Sequence, residues 1–200
     1  MLFRSIATVI SAALFAQSVC AALTPAQVVA SVEVVTTLSA SITKSVSVIT
    51  TKSSLNTISS TSKTVSTGFT KIVSTIGTFV TGIEDTSPFP DDAAQLVVNA
   101  LVAVNLITSI FRRAADVVWS IHSIFAQFAL TAPIVAVLRT LEGAIDSLAF
   151  ALIGLIPTKS NEVSDAQFTL STSVTDTISI YDQTCFPSLF WPKGKPVCIG

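Results

Sequence analysis

Apolar residues recur at intervals of three and four along most of this chain, the spacing that lines one face of an α-helix. The first stripe is Val28, Val32, Val35, Leu38, Ile42, Val46 and Ile49, with Ser and Thr opposite. Thr24-Pro25-Ala26-Gln27 precedes it: an N-cap Thr, a Pro at the first helical position and a Gln three residues after the cap. A helix is predicted to begin there. Lys52-Ser53-Ser54 links it to a second stripe, Leu55, Ile58, Val65, Phe69, Ile72, Ile76, Phe79 and Ile83, which Ser62 interrupts.

Ser87-Pro88-Phe89-Pro90-Asp91-Asp92 is a firm break, because two prolines cannot continue a helix and the aspartates favour the positive N-terminus of the next one. The third stripe starts near Asp91 and runs through Val97, Leu101, Val104, Ile107, Phe111, Val118, Ile121, Phe125 and Phe128, until Ala132-Pro133 ends or kinks it. A fourth helix carries Ile134, Leu138, Leu141, Ile145, Leu148 and Leu152, and stops at Gly154 and Pro157. A fifth spans Asn161 to Tyr181. The predicted fold is all-α: about five amphipathic helices in a single bundle, with a disulfide-closed C-terminal loop.

The first 21 residues do not belong to that bundle. Met1-Leu2-Phe3-Arg4, an apolar run from Ile6 to Ala16, and Val19-Cys20-Ala21 read as a secretory signal with small residues at its cleavage site. The chain therefore divides into a signal peptide (1–21), a helical bundle domain (22–184) and an aromatic tail (185–200). Cleavage removes Cys20 and leaves Cys185 and Cys198, an even pair that favours one disulfide in an oxidising compartment. Secreted localisation, extracellular or in a cell wall, follows from this reading. Residues 96–111 and 144–156 are apolar enough to raise a membrane-span reading, but Asn99 and Asn105 interrupt the first and the second is too short.

Composition narrows the function. Half of the 200 residues are hydrophobic and 12% are charged, with a net charge of -1, so there is no basic excess for nucleic acid. One His, His122, supports neither a metal site nor a catalytic triad and reads as a surface or boundary residue. The pairs Glu84-Asp85 and Asp91-Asp92 flank a proline turn, where helix-end charge placement explains them. No nucleotide-binding or nucleophile-elbow motif is present, so the expectation is no enzyme, no metal and no cofactor. From Thr36 to Ser87, 26 of 52 residues are Ser or Thr. That density fits a Ser/Thr surface on a plain bundle, or one that carries O-linked sugars, since no Asn lies in an N-glycosylation sequence.

The apolar inventory carries what remains. It either fills the core or leaves room for an acyl chain between helices, with Phe111, Phe125, Phe128, Leu141 and Phe150 as candidate lining. In the tail, Phe186, Leu189, Phe190 and Trp191 stand beside Lys193 and Lys195, either as a surface-contact patch or as a cover folded over an open bundle end.

The leader, the regularly spaced stripe from Val32 to Val46, the Ser/Thr/Ala-rich amphipathic helices, and the stretch Ala151-Leu-Ile-Gly-Leu-Ile-Pro157 leading into Phe168 to Asp176 resemble the fungal hydrophobic surface-binding protein A / cell-wall galactomannoprotein family over about residues 25–182. The resemblance implies a secreted all-α bundle that adsorbs to hydrophobic surfaces, some relatives carrying fatty acids inside. It offers no motif from which a functional residue could be carried over, and the Cys185–Cys198 tail departs from it. The expected function is non-enzymatic binding of hydrophobic surfaces or fatty-acid-like lipids. The alternative is an O-glycosylated structural or interaction protein of the cell wall with a packed core and polysaccharide as partner. The oligomeric state is not legible.

Overall fold

The computed structural model describes residues 22–103 and 121–199. The expected signal peptide and residues 104–120, which hold Phe111 and the middle of the third predicted helix, lie outside the described residues.

Helix α1 (Pro25–Val46) opens on the expected capping box: the Gln27 N–H donates to Thr24 Oγ1 at 3.3 Å, and Gln27 Oε1 accepts from the Thr24 N–H at 2.8 Å. Ser54 caps α2 (Leu55–Glu84) in the same manner by accepting from the Thr57 N–H. Ser62 does not break α2 but is buried in it. Helix α3 (Asp91–Ala103) has both aspartates in its first turn. Then follow α4 (His122–Gln127), α5 (Ala132–Leu155), a 3-10 turn (Pro157–Lys159) and α6 (Ser160–Tyr181). Strands β1 (Thr184–Phe186) and β2 (Val197–Ile199) pair antiparallel with Cys185 opposite Cys198, and the two are disulfide-bonded.

One helix boundary differs from expectation. The stripe through Ile121, Phe125 and Phe128 predicts continuation of the third helix, yet Ile121 has φ -101° and ψ 2°, and α4 starts afresh after it. Its end is equally abrupt. Ala129 adopts a left-handed φ of 55°, with Ala129 N–H donating to Ala126 O and Leu130 N–H to Phe125 O. These two bonds form a Schellman motif closed by Ala where Gly is usual. Apolar spacing runs on through this end because α4 and α5 both face the core, so periodicity alone does not reveal it.

Five helices form a ring. Helix α1 packs on α2, α2 on α5 and α5 on α6, while α3 touches both α1 and α6 and closes the circle. Three hydrogen bonds gather one end: Leu23 N–H to Thr86 Oγ1, Phe89 N–H to Leu155 O, and Thr158 Oγ1 to Asp91 Oδ1, each 2.8 Å. They join the N-terminal ends of α1, α3 and α6 to the C-terminal ends of α2 and α5, so the first three run opposite to the other two. The short α4 and the β-hairpin loop sit at the other end, beside the C-terminus of α6.

The predicted stripes of α1 and α2 form the buried faces except at Leu55, which is exposed at the start of α2, and Leu38, which is half-buried: Val28, Val32, Val35, Ile42 and Val46 meet Ile58, Val65, Phe69, Ile72 and Ile76 in one continuous core. Most hydroxyls of these helices are satisfied locally, the buried Ser66 Oγ being the exception. Ser31, Thr36, Ser39 and Thr43 in α1, and Thr64, Thr70 and Thr78 in α2, each donate to the carbonyl four residues earlier. Ser39 can thus be buried at no hydrogen-bonding loss. Helix α1 is long and apolar enough to cross a bilayer by itself, but here it is a stave of the ring, with Glu33 and Lys44 exposed.

Candidate functional site

The inward faces of the ring helices meet in one apolar core. Phe125 of α4 and Leu141 of α5 are fully buried members of the common core. Phe128 is half-buried and meets Trp191 edge-on, with ring centroids 6.5 Å apart. Phe150 is not a lining residue: it is 81% exposed. At 100° per residue it stands roughly 140° round the helix from Ile145, whose phase Leu141 and Leu152 share. That stripe was already visible in the sequence, and it excludes Phe150. Phe111 lies outside the described residues.

At the α4 end the lining becomes polar. His122, expected at a surface or boundary, is only 8% exposed. It begins α4 three residues before Phe125, and therefore shares that residue's inward side. Its ring meets Tyr181 edge-on at 4.9 Å, and Phe125 also packs toward Tyr181. The Nε2 edge of His122 lies 3.7 Å from Cys185 Sγ. Burial lowers the His122 pKa from its ordinary 6.5 and raises that of Tyr181 well above 10.0, so both rings are held neutral near pH 7. His122 and the two cysteines converge closely enough to surround a metal ion. However, Cys185 and Cys198 are bonded to each other, and the thiolates that would bind a metal do not exist while the disulfide does.

The tail closes this end without lying flat on it. Gln127 grips the loop with both halves of its amide: Nε2 donates to Ser188 O at 3.1 Å and Oε1 accepts from Ser188 N–H at 2.7 Å. Trp191, expected as a surface-contact residue, instead turns inward against Phe128, because its indole is the largest apolar surface the loop can bury. The other three stay outside: Leu189 is 97% exposed, Phe190 79% and Phe186 55%. A Cβ at Gly194 would lie 2.7 Å from Ser188 Oγ and 3.2 Å from Phe190 Cβ, so the loop crosses itself closely there. The loop is both a cover, through Trp191 and Gln127, and an exposed apolar tip. Sequence spacing did not show the part Gln127 plays, since its partner is 61 residues away.

Two solved structures share the fold. The structure of AfMP4p in complex with palmitic acid aligns with a TM-score of 0.69 at 14% identity, over 78% of this chain and 99% of that one. Ligand-binding domain 1 of the Penicillium marneffei MP1 protein, complexed with arachidonic acids, aligns with a TM-score of 0.59 at 10% identity, over 76% of this chain and 93% of that one. No family model and no curated protein matches the sequence.

Proposed function

We propose that the protein is a secreted, non-enzymatic carrier of long-chain fatty acids or similar acyl lipids, held between the helices of the ring. The observation that carries this reading is the shared fold: the same helical arrangement accommodates palmitic acid in one structure and arachidonic acids in the other. The enclosed face described above supports it, being aliphatic and aromatic with a polar end at His122 and Tyr181. An acyl chain needs little else, because each buried methylene contributes about 0.8 kcal/mol. It also accords with the resemblance to fungal hydrophobic surface-binding proteins.

Native mass spectrometry of the secreted protein before and after organic extraction tests the proposal. A released mass of acyl-chain size, regained on adding palmitate, is the expected result. An unchanged mass with no uptake would mean a filled core and would sink it. Leu141→Trp, which fills interior volume, is expected to weaken uptake at least about tenfold, while Phe150→Ser on the outer face leaves it unchanged.

A further inference from the structure

The disulfide-closed tail concentrates exposed apolar side chains. Of the ten large hydrophobic residues exposed among those described, five belong to the tail: Phe186, Leu189, Phe190, Val197 and Ile199. Scattered exposed apolar residues are ordinary, but this concentration in a short hairpin is not. The loop is also held stiff by the Cys185–Cys198 bond, the Gln127 grip on Ser188 and the Trp191 wedge against Phe128. Its exposed side chains are therefore presented in a fixed arrangement, and burying them costs little further conformational entropy.

The charges beside the tip select the partner. Lys193 and Lys195 are exposed, and no Asp or Glu occurs from 183 to 199 in a chain whose net charge is -1. The nearest acid along the chain, Asp182, is engaged by Arg139 at 2.7 Å. An apolar tip flanked by lysines complements a surface with hydrocarbon below and negative charge above. A second copy of the chain would bring the same two lysines against these.

We infer that the 185–198 loop docks the protein onto anionic lipid membranes, with Leu189 and Phe190 entering the interfacial layer and Lys193 and Lys195 meeting the headgroups. This goes beyond acyl-chain binding inside the ring, and stands or falls separately from it.

The test is sedimentation of the oxidised protein with vesicles of phosphatidylcholine alone and of an equimolar mixture with phosphatidylglycerol. Binding is expected to the mixed vesicles and to weaken as salt rises. Lys193→Gln with Lys195→Gln should lower affinity for them about thirty-fold. Leu189→Ser with Phe190→Ser should lower it at least about tenfold, with circular dichroism unchanged because both side chains are exposed. Phe150→Ser, an exposed aromatic elsewhere, should bind as the parent does. The inference is overturned if the parent ignores the mixed vesicles, or if the tip variant binds them equally well. It is also overturned if the parent proves to be a dimer that the tip substitutions make monomeric. Palmitate uptake by the tip variant in solution separates the two readings: if the parent and this variant both fail to take up palmitate while vesicle binding behaves as expected, the interior proposal falls and the docking inference stands.

Discussion

A histidine that faces a tyrosine edge on one side and a disulfide sulfur on another has lost most of the water that would stabilise its charged form. His122 is therefore lowered from its ordinary 6.5 in the folded protein. As pH falls, the unfolded chain takes up this proton first, at about 6.5. Native stability is accordingly lost as pH drops from about 6.5 through the lower folded value, and is unaffected by this group above about pH 7.5. Urea midpoints measured across that window should decline for the parent protein. His122→Gln, neutral at every pH, should remove this part of the decline. Identical slopes for the two proteins would mean that the imidazole is solvated in the native state.

Between elements, the seam of α1 and α2 depends on one missing side chain. A Cβ at Gly68 would lie 2.6 Å from Ile42 Cγ1 and 2.9 Å from its Cδ1, and a β-branched side chain in a helix has little rotamer freedom to withdraw. Gly77, in the same helix, has nothing within 4 Å of that position. Gly77→Ala should then gain the ordinary helical advantage of Ala, about 0.5–1 kcal/mol. Gly68→Ala should forfeit that advantage to overpacking and come out destabilised by roughly 1–3 kcal/mol. Paired urea titrations check the difference, and equal shifts for both variants would show that the seam opens freely. Such a seam is not legible in sequence, whereas helix starts are. Thr24 with Gln27, and Ser54 with Thr57, are capped within four residues, so local chemistry announces them. The core stripes of α1 and α2 were legible for the same reason, and Leu141 and Phe125 with them. The burial of His122 depends instead on partners about sixty residues away, Cys185 and Tyr181, which no local pattern encodes.

Taken whole, the molecule closes its two ends by different means, and this difference has a measurable consequence. One end is tied by hydrogen bonds among the helices themselves, through Leu23, Phe89 and Asp91. The other is covered by a loop whose only covalent restraint is the Cys185–Cys198 bond. The core of the ring does not include that bond, so reduction should leave the helices folded. It should free the loop at a cost of about 2–3 kcal/mol, the chain-entropy value for a closure of this length. Release would draw Trp191 off Phe128 into water and expose the His122 edge behind Cys185. The Cys185→Ser, Cys198→Ser variant should therefore keep the parent's far-ultraviolet dichroism and show a lower urea midpoint. Its tryptophan emission should shift to the red. Loss of the helical signal would instead mean that the covered end helps to hold the ring closed, with α4 acting as a structural keystone beneath the loop.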